Sequence, residues 1–276
     1  MLASIQNALP AVAAAPAPAV ARGSRCSVSG RRYETHVWNI VQRCADVSGW
    51  VPLAGDGARL GGGSSHAHDL QIAWRGQRVP IELKRSFKVP DWGQAILERR
   101  DDGRWAVKKD NPVIQSALDV WQQDAGEDVL WDGRTPSFLD NDITHATWLN
   151  EKHAFKDAYL DVDSKAIADY YADKGVAYIQ VGRGAGLYHT GEDVCGFGVP
   201  EFVCEQRIRI RIKVHTRKNK AGHCRLSVTA ALQPARLLPD SPYSLDSTAT
   251  LPPLVGILGG TQWGNPGSPS NPLLSL

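Results

Sequence analysis

The sequence contains no apolar run close to the roughly 20 residues that a membrane-spanning helix needs, so no membrane role is expected. Cysteine is scarce, with five residues at 26, 44, 195, 204 and 224 and no CxxC pair among them. An odd count without such pairs argues against a disulfide framework or a zinc ribbon. The expectation is a soluble protein of a reducing compartment, cytoplasmic or nuclear. Charge of one sign is also lacking: the net is only +2 over 276 residues. Any nucleic-acid argument must therefore rest on where the charges lie. No acidic residue precedes Glu34, and prolines break up the alanine-rich start, which has no basic n-region of a secretory signal. Residues 1–23 read as a disordered tail, with an organellar transit peptide as the alternative. Internal repeats are absent too.

What remains is enough chain for one substantial core. The expected division is a domain over 24–233 and an irregular Pro/Gly/Ser-rich tail over 234–276, with Leu254, Ile257 or Trp263 packed back on the domain. The centre of interest is 69–84. Leu70, Ile72 and Trp74 alternate with polar or small residues, Arg75-Gly76-Gln77-Arg78 reads as a turn, and Val79, Ile81 and Leu83 alternate with Glu82 and Lys84. Period-two patterning on both sides of a glycine turn predicts a β-hairpin with one buried face. Asp69, Glu82 and Lys84 then emerge together on the other face. Two neighbouring carboxylates repel unless a cation lies between them, and Mg²⁺ suits such hard oxygen donors while keeping waters for chemistry.

Upstream, Val37, Ile40, Val41, Cys44 and Val47 follow helical spacing, which predicts a helix over 31–47. Glu34 falls on that apolar stripe. Either it is a first-turn acid at the helix N-terminus or it has a partner in the interior. Further on, a short helix is expected over 91–97, another over 113–121, a loop over 126–142, helix over 151–174 and a strand over 176–181. Gly61-Gly62-Gly63 and the glycines of 182–186 lack the lysine or following helix of a phosphate loop. Arg207, Arg209, Arg211 and Lys213 alternate with Ile208, Ile210, Ile212 and Val214, and Arg217, Lys218 and Lys220 follow, with no acid between Glu205 and Asp240. Such a ridge suits a phosphate backbone. An edge strand protected by charge would look alike.

Asp69 followed by Glu82-Leu83-Lys84, with Glu34 on a preceding helix, resembles the PD-(D/E)XK nuclease superfamily over about residues 30–100. The resemblance implies an α/β fold with a mixed central sheet flanked by helices, a restriction-endonuclease-like core, here with additional C-terminal strands. It implies Mg²⁺ held by Asp69, Glu82 and Glu34, with Lys84 orienting or deprotonating the attacking water. Gln94 resembles a polar residue that some members place near the site. His68 stands where the family often has proline. The implied activity is DNA phosphodiester hydrolysis, restriction-type, in what is often a homodimer. Two other readings stand beside it: a zinc hydrolase using His66 and His68, and a non-catalytic nucleic-acid-binding protein whose carboxylates only form surface ion pairs.

Overall fold

In the computed structural model the described residues are 22–48, 51–52, 68–74, 77–125, 130–216, 223, 225–236 and 238–252. In chain order the elements are α1 (Arg22–Ser48), β1 (Val51–Pro52), β2 (Leu70–Trp74), β3 (Gln77–Lys84), β4 (Gln94–Arg99), β5 (Trp105–Val107), α2 (Pro112–Ala125), α3 (His145–Glu151), β6 (Ala158–Val162), α4 (Ala166–Asp173), β7 (Tyr178–Val181), β8 (Gly186–His189), β9 (Gln206–Thr216) and β10 (Arg225–Pro234). The class is mixed α/β. Two five-stranded sheets form, in the orders β1-β2-β3-β7-β8 and β5-β4-β10-β9-β6. The expectation of one central sheet with appended C-terminal strands needs correction. β9 and β10 pair with β4, β5 and β6 from the middle of the chain and complete a second sheet.

The hairpin forms as its alternation requires. Leu70 pairs with Ile81 and Ile72 with Val79, antiparallel. Leu70, Ile72, Trp74, Val79, Ile81 and Leu83 are all buried. Gln77 and Arg78 belong to β3 rather than to the turn, and Arg75-Gly76 fall outside the described residues. β3 then pairs with β7 in parallel, Glu82 beside Ile179 and Lys84 beside Val181. That pairing demands a long crossover. The chain makes it by building β4–β6 of the second sheet and returning through α4.

Because side chains alternate across a strand, β3 divides two cores. On one face Ile81 and Leu83 join Val37 and Val41 of α1, with Tyr178 and Leu187. On the other, Ile179 and Val181 join Trp92, Ile167, Tyr171, Ile208 and Ile210. Glu82 and Lys84 sit at the margin of this second, larger core.

Two expectations are overturned and one alternative is excluded. Residues 94–99 are a strand, not a helix: they bury Ala95 and Leu97 alternately and pair with β10, Leu97 opposite Val228. Within 151–174 lies β6, which pairs with β9, Leu160 opposite Ile208. In both cases a distant partner decides against local propensity. β9 is an interior strand between β10 and β6, so its basic residues do not guard an edge. The first helix begins at Arg22, earlier than its periodicity suggests, because the stretch 22–30 has no apolar stripe to mark it.

The segment 238–252 is irregular yet tied to the first sheet. Gln180, fully buried, donates to Ser244 Oγ at 3.0 Å and accepts from the Leu245 N–H at 2.8 Å. Tyr33 of α1 donates to Asp246 at 2.7 Å. Leu254, Ile257 and Trp263 lie outside the described residues.

Candidate active site

The side chains of Glu82 and Lys84 follow from their parity on β3. They leave the sheet on the face opposite Ile81 and Leu83 and are 12% and 16% exposed. Two residues apart on one strand face, their Cα atoms stand about 6–7 Å apart. The lysine stem closes the gap, and Lys84 Nζ meets Glu82 Oε1 at 2.8 Å. Asp69 stands just before β2. Its N–H donates to Ile81 O at 3.3 Å, and its Oδ2 accepts the Leu83 N–H at 3.0 Å. The hairpin register thus fixes the Asp69 carboxylate against the strand that carries Glu82. Glu34 is half-buried on α1, close enough for its charge to couple to Glu82 and Asp69.

The electrostatics record that convergence. Asp69 has a pKa raised to about 8, first by burial and then by the Glu82 charge, with Lys84 and the Leu83 N–H working the other way. Glu34 is raised by burial and then by Glu82, opposed by Arg31 and Lys84. Burial alone would lower the Lys84 pKa, but Tyr171 and Glu82 more than offset it, so the ammonium is held well above the ordinary lysine range.

Tyr171 is the member of this cluster that the sequence did not reveal. It lies on α4, buried, and its hydroxyl donates to Glu82 Oε1 at 3.1 Å across 89 positions of chain. The Lys84 ammonium sits 5.4 Å from the Tyr171 ring centroid and 5.9 Å from that of Trp92. Residues 168–171 were expected to be helical, but nothing in their spacing pointed to the hairpin.

Each carboxylate therefore has one oxygen engaged by the protein: Asp69 Oδ2 by Leu83, and Glu82 Oε1 by Lys84 and Tyr171. Asp69 Oδ1 and Glu82 Oε2 take no donor among the described residues. Two half-buried acids on one side of the hairpin, each with an oxygen to spare, could offer hard oxygen donors of the kind a small divalent cation takes while retaining several waters. No group of three or more His, Cys, Asp or Glu side chains in ligating proximity occurs among the described residues. Glu34 thus acts on the pair through its field and is not placed with them as a third ligand.

The other expected site residues are more scattered. Gln94 opens β4 and accepts from Lys213 Nζ at 3.3 Å, with no contact to the carboxylates. Arg207, Arg209, Arg211 and Lys213 share the outer face of the second sheet, all partly buried. Arg209 Nε donates to Asp157 at 2.7 Å, and the Arg207 guanidinium lies 4.2 Å from the Tyr159 ring centroid. Arg211 makes no ion pair among the described residues. Arg217, Lys218 and Lys220 lie outside the described residues, as does His66; His68 is half-buried at the start of the hairpin.

Among protein-family models, curated proteins and solved structures, none matches this chain. No helix of the described residues is long and apolar enough to cross a membrane.

Proposed function

We propose that this chain is a Mg²⁺-dependent endonuclease that hydrolyses DNA phosphodiester bonds, built on a restriction-endonuclease-like core. The observation that carries the reading is the meeting of Asp69, Glu82 and Lys84 on one side of a single hairpin, partly buried, with the Glu34 charge in reach. A salt-bridge cluster made only for stability gains little from an unpaired second carboxylate. Here Asp69 makes no ion pair among the described residues and carries a raised pKa despite the nearby Lys84 charge. The first sheet supports the reading as well: a helix with an acid, then an antiparallel hairpin bearing Asp and Glu-Leu-Lys, then a parallel strand.

Asp69 and Glu82 are the residues that would hold Mg²⁺, with Glu34 adding negative potential behind them. When bound, such an ion supplies charge neutralisation at the phosphate and a more acidic water. Asp69 contributes an oxygen whose orientation the Leu83 N–H sets. Glu82 is turned by Lys84 and Tyr171 so that Oε1 is occupied and Oε2 is available. Lys84 places a fixed positive charge where a phosphate would approach and donates hydrogen bonds to orient an attacking water. The outer face of the second sheet, with Arg207, Arg211 and Lys213, is the surface we assign to the DNA backbone.

Lys84→Ala tests the enzymatic reading against a purely DNA-binding one. A nuclease loses plasmid cleavage in this variant while retaining oligonucleotide binding. A wild type that binds DNA and never cleaves it favours the non-catalytic reading. A zinc hydrolase would require Zn²⁺ and fail in a His66→Ala/His68→Ala double variant, whereas the assignment made here has that variant cleave in Mg²⁺.

A further inference from the structure

We propose that Tyr171 is a positioning residue of the cation site: its hydroxyl, together with Lys84, holds Oε1 of Glu82 so that Oε2 is presented to the divalent cation shared with Asp69. This rests on the nuclease reading above and extends it to a residue from a separate element. Glu82 Oε1 receives two donors, Lys84 Nζ at 2.8 Å and the Tyr171 hydroxyl at 3.1 Å. Two donors from different elements, β3 and α4, restrict carboxylate rotation more than one, and an oriented ligand loses less entropy on binding a cation. Without the phenol, Glu82 would be held by Lys84 alone, a lysine on the same strand with a flexible stem.

The surroundings of Tyr171 suit it to hold rather than to move. Its side chain is fully within the larger core, 3% exposed. The ring of Tyr170 packs edge-on against it with centroids 5.1 Å apart. Gly93 lies so close that a Cβ there would stand 2.6 Å from the Tyr170 ring. At the other end of α4, the Ile167 N–H donates to the buried Gln206 side chain at 2.7 Å, which anchors the helix to β9. The crossover helix is thus pinned at both ends, and through Tyr171 it reaches the Glu82–Lys84 pair of the hairpin. A packing role alone would be met by phenylalanine.

The test compares wild type, Asp69→Ala and Tyr171→Phe, which keeps the ring and removes only the hydroxyl. Isothermal titration with Mn²⁺ reads cation affinity directly, and plasmid cleavage at graded Mg²⁺ reads kcat and KM. The expected result is an about tenfold weaker Mn²⁺ affinity and a kcat reduced about 10- to 100-fold, in the range for residues that orient a ligand. KM for DNA stays within about twofold, since binding relies on the outer sheet face. Circular dichroism checks folding. If Tyr171→Phe does not fold, Tyr171→His, which retains a ring donor, carries the same comparison and is expected to keep more cation affinity than Tyr171→Leu. Wild-type values for both Mn²⁺ affinity and kcat in Tyr171→Phe overturn the proposal while leaving the nuclease reading in place. Absence of Mg²⁺-dependent cleavage in the wild type overturns the nuclease reading itself, and this proposal with it.

Discussion

The backbone N–H of Leu83 donates to Oδ2 of Asp69 at 3.0 Å, so the strand carrying Glu82 also orients the acid that faces it. The bond lowers the Asp69 pKa, yet burial and the Glu82 charge outweigh it and leave the carboxyl titrating near 8. In an unfolded chain the same group titrates near 4. The folded protein therefore binds this proton more tightly than the unfolded one, and stability falls as pH rises between those two values. The stabilising contribution is complete below about pH 4 and is lost as pH passes about 8. Glu34, also raised, acts in the same direction. In EDTA the melting temperature of the wild type should fall from pH 5 to pH 8. Asp69→Asn should flatten that slope and melt higher than wild type at pH 8. Thermal melts across this range check it.

Mg²⁺ should reverse the same trend. Because cation binding favours the ionised carboxylates, 10 mM-scale Mg²⁺ should raise the wild-type melting temperature more at pH 8 than at pH 5, by mass action on the folded state. Asp69→Asn should show little of this gain. Calorimetric scans with and without the ion measure it.

Glu34 and Asp69 should differ in degree. Glu34 reaches the pair through its field, so Glu34→Gln should lower cleavage about tenfold, as outer residues of a metal site do, while Asp69→Asn should abolish it. Equal losses would instead make Glu34 a direct ligand. Initial rates of plasmid nicking separate the two outcomes.

Gly182 follows β7 where α1 crosses near the sheet. A Cβ there would lie 2.7 Å from the Arg85 carbonyl oxygen and 2.7 Å from the Tyr33 ring. Backbone on one side leaves α1 as the element that must shift, and Tyr33 precedes Glu34. Gly182→Ala should cost about 1–3 kcal/mol, the range for overpacking. Urea unfolding gives the number.

On the outer sheet face, Arg211 has no ion pair among the described residues, whereas Arg209 is tied to Asp157. Arg211→Ala should weaken binding of a DNA duplex and reduce the slope of log K against log salt by about 1. Arg209→Ala should change that slope less. Fluorescence anisotropy at several salt concentrations measures both.

The hairpin was legible because its information is local: Leu70, Ile72 and Trp74 against Val79, Ile81 and Leu83 specify both the strands and the face on which Glu82 and Lys84 emerge. The helical stripe through Val37 and Val41 was legible for the same reason. Residues 94–99 were not. Ala95, Ile96 and Leu97 are apolar enough for either periodicity, and their partners Ala230, Thr229 and Val228 lie far along the chain. β6 was hidden likewise, since Leu160 alone among Ala158–Val162 is buried. Tyr171 carries no mark in its neighbours, because its partner Glu82 is supplied by the crossover topology. The division into two sheets arises from the same long-range pairing.

The central claim is tested most directly by incubating supercoiled plasmid with wild type and with Asp69→Ala, each in Mg²⁺ and in EDTA. The account predicts nicked or linear product in one arm only, wild type with Mg²⁺. Identical plasmid in all four arms, or cleavage by Asp69→Ala equal to that of wild type, would contradict it.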